Sequence, residues 1–331
     1  MSHFLAMEGR STVHDIPISF KSTLLDSKGI AYRDFRATLT PRWWLVWTHL
    51  GLAYLAIAGL VAGLAVWDPG GAVGALGALG GGLAVGYAIA FINNFFHEAA
   101  HYNVMPDRKA NDVVTNILMG PLFASSIALY RKIHFQHHRA LGTTMDSENS
   151  YFDPLRVRYL VEGLIGLKVL RTLRRYREVE ATSPKAGAGT NRQRLIWLGV
   201  AAIVNGAILL GLALAGFWAA SAAWVLGEAF FFPFFVSLRQ TLEHRDEHAD
   251  PDVDYRQVDH GATNRLFGDG PVASTLGSAG FNRHALHHWE PQISCTRLRD
   301  LERYLEGTEL APYIAERQTT YRDTLLRLLE P

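Results

Sequence analysis

Two long stretches of this chain run almost without charge. From Trp43 to Phe96 the only charged side chain among Asp, Glu, Lys and Arg is Asp68, and from Leu195 to Leu238 it is Glu228. A helix crossing a hydrocarbon layer of roughly 30 Å needs about 20 apolar residues, so each stretch is long enough for two crossings. Asp68-Pro69-Gly70-Gly71 divides the first, because Pro and Gly end a helix and let the chain reverse. This places spans near residues 44–67 and 72–96. The second stretch divides near Gly216 to Ser221, with spans near 195–217 and 221–242. Trp43, Trp44 and Trp47 open the first span and Trp67 closes it, which fits aromatic belts at two membrane interfaces. The pattern predicts an all-α integral membrane protein with four transmembrane helices in two hairpins.

The polar segments complete the organisation. They are an N-terminal segment, 1–42, a middle segment, 97–194, and a C-terminal segment, 243–331, around the hairpins at 43–96 and 195–242. The middle segment carries fifteen Lys and Arg residues and the hairpin turns carry none, so the positive-inside rule puts both termini and the middle segment in the cytoplasm. Val113 to Tyr130 is apolar but contains Gly120-Pro121 and must begin and end on one side, so it reads as interfacial or re-entrant. Pro184 to Gly189 reads as a linker, and Leu298 to Leu329 as a charged helical cap. The first 40 residues lack the apolar core of a signal peptide. Hydrophobic residues make up 49% of the chain, as the spans require, and a net charge of +1 gives no reason to expect a nucleic-acid partner.

Within the spans, Gly74, Gly77, Gly80, Gly81, Gly82 and Gly86 predict close helix packing. Pro233, among five phenylalanines, predicts a kink. Glu228 is an ionisable group at membrane depth, a functional position by default. The run Lys168, Arg171, Arg174, Arg175 and Arg177 suits anionic lipid or a solvated face, with docking of an acidic electron donor as the sharper reading.

Eight of the fourteen histidines fall in three clusters beside the spans: His97 and His101 in HEAAH, His134, His137 and His138 in HFQHH, and His284, His287 and His288 in HALHH. Spacings of i, i+3 and i+4 put imidazoles on one helix face, so each cluster is a fragment of a metal site. Imidazole suits iron, copper, zinc or nickel. Eight ligands exceed the four of a tetrahedral zinc site, which favours two metals over a zinc protease reading of HEAAH. Glu98 projects about 100° from His97 and is not expected to be a ligand. Ligand imidazoles need carboxylate or carbonyl partners, and Asp146, Glu148, Glu243 and Asn94 stand nearest in sequence. The single cysteine, Cys295, excludes a disulfide framework and any cysteine-held iron-sulfur module in this chain.

The three clusters in this order, over about residues 40 to 300, resemble those of the membrane fatty acid desaturase superfamily. The resemblance implies a cytosolic helical cap holding a histidine-rich site with two non-haem iron ions, O2 as co-substrate, and removal of hydrogens from an unactivated acyl chain. It adds His244, at the end of the fourth span, as a ninth ligand, and Gln240, one turn before it, as a holder of metal-bound water. It also implies an external electron donor of ferredoxin, rubredoxin or cytochrome b5 type, and an acyl-lipid, acyl-CoA or acyl-carrier-protein substrate among membrane lipids. Hydroxylation of an acyl chain, or oxidation of a carotenoid or other isoprenoid, is the alternative within the superfamily. A histidine-rich metal transporter is the alternative outside it, disfavoured because transporters place ligands near the membrane midplane.

Overall fold

The computed structural model describes residues 16–67, 70–168, 170–171 and 188–329. Among them the chain is helical, with isolated β-bridges but no longer strand. The elements needed below are α1 (Tyr32–Ala37), α2 (Trp43–Trp67), α3 (Gly71–Ala100), α4 (Arg108–Leu118), α5 (Ile127–Ala140), α6 (Val157–Leu164) and α7 (Ala188–Leu214). A fourth long helix, α8, runs over Trp218–His244, and α9 (His284–Trp289), α10 (Leu298–Glu306) and α11 (Tyr321–Leu328) follow.

Among the described residues four helices are long and apolar enough to cross a membrane: α2, α3, α7 from Asn191, and α8. Two of them run past their predicted ends. Helix α3 has 30 residues, or about 45 Å, which exceeds a hydrocarbon core of roughly 30 Å. No Gly or Pro interrupts Phe95-Phe96-His97-Glu98-Ala99-Ala100, so the helix continues through His97. His97 therefore stands on the last turn of a span helix, where the first cluster was expected outside the spans, and His244 stands at the end of the fourth helix as expected.

Helix α3 is the centre of the molecule, packed against α2 and, more extensively, against α8. Its glycines explain how closely. A Cβ on Gly82 would meet Leu226 Cβ at 2.7 Å, and one on Gly86 would meet Phe231 Cβ at 2.6 Å and Gly227 O at 2.9 Å. At that crossing α8 widens into a π turn over Gly227–Phe231, which is the form the expected irregularity at Pro233 takes. Proline cannot donate to the preceding turn, and a π turn absorbs the misfit without ending the helix.

The segment expected to be interfacial breaks into short helices, and none is long enough to be a fifth crossing. In α4 the buried residues are Asn111 and Thr115, while Val113 and Ile117 are exposed. Lys168, expected on lipid or a solvated face, is buried with its Nζ 3.1 Å from the centre of the Tyr159 ring. Arg171 pairs with Glu162. Arg174, Arg175, Arg177, the Asp68-Pro69 turn and residues 184–187 of the expected linker lie outside the described residues.

A second core lies under α9. Ile16, Leu24 and Tyr32 from the N-terminal segment pack with Leu286, Trp289, Leu301 and Leu305. Glu290, just past α9, accepts from the Tyr32 hydroxyl at 2.9 Å and from Lys21 Nζ at 3.1 Å. The N-terminal segment is thus part of the support for the third histidine cluster.

Replacing Gly86 with Leu should lower the melting temperature of the detergent-solubilised protein, by the roughly 1–3 kcal/mol that overpacking costs. Gly80 has open space around its Cβ position, so Gly80→Leu should melt within about 0.5 kcal/mol of wild type. Equal melting of both variants would show that α3 and α8 do not meet at Gly86.

Candidate metal centre

The ends of α3 and α8, the two long helices that carry histidines of the site, are each completed by a buried or half-buried arginine. The last carbonyls of an α-helix have no partner within the helix. At the end of α3, Ala100 O accepts Arg131 Nε at 2.8 Å, and Ala99 O accepts Arg131 Nη2 at 3.2 Å and Asn111 Nδ2 at 3.0 Å. Asp112 holds the same guanidinium through two hydrogen bonds, at 2.6 and 3.0 Å. At the end of α8, Arg265 donates to Leu242 O at 2.9 Å and Arg245 O at 2.6 Å. These contacts fix His101 and His244 where their helices stop.

All nine histidines named from the sequence come together, in two groups. His97, His101, His134, His138 and His287 form one, and His137, His244, His284 and His288 the other; within each, the candidate ligand atoms lie within 4.8 Å of one another. The groups adjoin, with the His138 and His288 ring centres 4.3 Å apart. The clusters split between the groups in the same way. His134 and His138, at i and i+4, share a group while His137 joins the other; His284 and His288 likewise share a group that excludes His287. Helical geometry supplies the reason: residues four apart differ by about 40° around the axis, while residues three and four along diverge by about 100°. Helices α5 and α9 therefore each reach into both groups, where the spacing alone had suggested that each cluster faces one way.

The donor set fits metal ions. An imidazole nitrogen binds an ion such as zinc at about 2.0–2.1 Å, so two nitrogens at right angles on one ion stand about 3.0 Å apart. In the first group Nε2 of His134 is 2.8 Å from Nε2 of His101 and 2.9 Å from that of His138, which is 3.1 Å from Nε2 of His287. In the second, Nε2 of His284 is 2.9 Å from that of His244 and 3.2 Å from that of His288. Both ring nitrogens of His97 are buried without a hydrogen-bond partner, a deficit that a metal would relieve.

Partners on the outer ring nitrogens orient several imidazoles. His137 Nδ1 meets both Asp146 oxygens, at 2.9 and 3.0 Å. Asp146 also accepts from the Tyr151 hydroxyl, which in turn accepts from Gly142 N at 2.8 Å. His134 Nδ1 is 3.2 Å from Glu148 Oε1, and His244 Nδ1 is 3.2 Å from the Thr263 carbonyl. Gln240 uses both ends of its amide, donating to Glu148 Oε2 at 3.2 Å and accepting from Ser150 Oγ, so it braces Glu148 where it was expected to hold a metal-bound water. Glu243 accepts from Arg239 Nε at 3.3 Å and Tyr321 Oη at 3.0 Å, where an imidazole partner was expected. The adjacent guanidinium is the stronger partner for a buried carboxylate. Asn94 donates to Leu276 O at 3.0 Å and Ser278 Oγ at 2.8 Å, tying α3 to the loop before α9 rather than to a ring. The Thr263 carbonyl, Arg131 and Arg265 were not singled out from the sequence, since any residue carries a carbonyl and either arginine would read as a surface charge.

Burial and mutual repulsion push His134, His138, His284, His287 and His288 well below the ordinary histidine value, and burial takes His101 down to about 3. Burial also lowers His137, but the Asp146 hydrogen bond and the charges of Glu148 and Asp146 outweigh it and hold the ring above the ordinary value. The imidazoles are thus mostly neutral, the form whose lone pair binds a metal.

Comparison with known proteins returns one family, described as fatty acid desaturase, whose model matches residues 73–321 and so takes in all nine histidines. No curated protein matches the chain.

Asp146→Ala should weaken metal binding roughly 10–100-fold in a chelator competition, by freeing His137. Unchanged affinity would show that Asp146 does not orient a ligand. The depressed histidines also set a pH dependence. Their folded pKa lies below the unfolded value of 6.5, so the unfolded chain binds more protons in acid and stability falls as pH drops below about 6.5. Protein kept in chelator should therefore melt at lower temperature at pH 5 than at pH 7.5, and a flat profile would contradict that sign.

Proposed function

Because the chain belongs to the fatty acid desaturase family, and is accordingly an oxidoreductase, we propose that it is an O2-dependent di-iron desaturase that places a double bond in an unactivated acyl chain. The observation that carries this reading is the pair of adjoining imidazole groups, five and four, beside the ends of apolar helices. A transporter reading has no such support, since His97 and His244 sit on the last turns of α3 and α8 rather than at their middles.

In this proposal His97, His101, His134, His138 and His287 hold one iron, and His137, His244, His284 and His288 the other. When bound, the irons supply the activation of O2. The chain's own part is to hold nine lone pairs in place, keep the rings neutral, and exclude water from a site whose ligands are almost all buried. Electron balance requires a donor. O2 becomes two waters by taking four electrons, of which two come with the substrate hydrogens and two must arrive from outside. The single cysteine leaves no cysteine-held iron-sulfur carrier in this chain, so an external ferredoxin, rubredoxin or cytochrome b5 is proposed as partner.

The membrane arrangement belongs to the same proposal. The four helices form two hairpins that return the chain to one face, and the fifteen basic residues between His97 and Arg194 put that face, both termini and the helical cap in the cytoplasm. The substrate is an acyl chain carried by a lipid, coenzyme A or an acyl carrier protein and reached from the bilayer.

Purified protein should contain about two irons per chain, and His287→Ala should lose nearly all activity. Cells given labelled fatty acids should yield lipids lighter by about two mass units, the signature of lost hydrogens. A gain of about sixteen would replace desaturation by hydroxylation, and full activity in metal-free protein would overturn the metal reading altogether.

A further inference from the structure

Glu98 is wholly buried beside the five-imidazole group, yet it is not among the grouped side chains. Its place on α3, about 100° round from His97, turns it toward the segment that follows the third cluster. Oε2 accepts the backbone N–H of Cys295 at 2.9 Å. Oε1 is buried with no hydrogen-bond partner. That oxygen lies 3.9 Å from Nδ1 of His97 and 3.9 Å from Nδ1 of His287. His287 turns its other nitrogen inward, with Nε2 3.1 Å from Nε2 of His138. One carboxylate oxygen thus stands between the outer nitrogens of two imidazoles, from the first and third clusters.

At 3.9 Å neither contact is a hydrogen bond, but a small rotation of either ring closes it. A buried carboxylate oxygen left unpaired is costly, and these two Nδ1 atoms are donors within reach. Resting on the dimetal reading above, we propose that Glu98 is a positioning residue that accepts from Nδ1 of His97 and His287 and so commits Nε2 of both rings to the five-imidazole metal. It does for the first group what Asp146 does for His137 in the second. By holding the Cys295 backbone as well, it also sets the spacing between α3 and the chain beyond α9. Outer partners of this kind fix the tautomer and orientation of metal-binding imidazoles.

The test is iron stoichiometry and chelator competition on wild type, Glu98→Gln and Glu98→Ala, with the visible spectrum of the cobalt-loaded proteins and the melting of each protein in chelator. Glu98→Gln keeps the volume and an acceptor for the Cys295 N–H but removes the charge. Both variants should weaken one of the two metals by roughly 10–100-fold and shift the cobalt spectrum, while Glu98→Gln in chelator melts as wild type does. Should Glu98→Ala fail to fold, Glu98→Gln decides the matter. Two metals held with wild-type affinity and spectrum in Glu98→Gln would overturn the inference alone, as would a loss of affinity matched by an equal loss of stability in chelator. A wild-type protein that binds no metal would overturn it together with the reading on which it rests.

Discussion

Nine imidazoles held within a few ångströms of one another, nearly all shut away from water, impose the constraint around which the rest of this molecule is arranged. Each ring must be neutral to offer a lone pair, and burial favours that by penalising the charged form, with His137, held up by Asp146 and Glu148, as the exception. Neutral rings brought nose to nose at 2.8–3.2 Å still do not stay there unaided. Their outer nitrogens must be held, and the backbone on which they ride must be rigid. Asp146, Glu148 and the Thr263 carbonyl meet the first need for three rings.

The second need is met by the way helices end. A helix terminus buried without partners would leave carbonyls unsatisfied, and here Arg131 and Arg265 take those carbonyls at α3 and α8, the long helices that carry His97 and His244. The N-terminal segment does comparable work from the opposite side, gripping Glu290 and packing Tyr32 on Trp289 beneath α9. Farther away, the glycine contact between α3 and the π turn of α8 sets the distance between the helices bearing His97 and His244. Packing along the spans and order in the metal centre are therefore one problem, linked through the rigid lengths of α3 and α8.

Several expectations drawn from the chain fared differently once neighbours were present. Asp146 and Glu148 lie a few residues after the second cluster, and a short turn returns them to its rings. Glu243 and Asn94 are also close in sequence, yet Glu243 turns to Arg239 and Tyr321 and Asn94 to the loop before α9. Proximity along the chain does not say which partner is stronger. Lys168 reads as a surface charge and is buried on Tyr159, because a long aliphatic stem with a cationic tip can lie across an aromatic ring as readily as it can reach water.

The sequence by itself determined the helical class, the four apolar spans and the eight histidines of the three clusters, because both signals are local, while the ninth, His244, came from the family resemblance. Hydrophobic length measures what a membrane requires, and a spacing of three or four residues measures the pitch of a helix. Only the tertiary structure decided that each HxxHH cluster divides between two groups, that Gln240 braces a carboxylate, and that Glu98 stands between rings from the first and third clusters. Those outcomes depend on how α3, α5, α8 and α9 are rotated against one another. That rotation is set by glycines, caps and buried arginines far apart in the chain, which no local periodicity encodes.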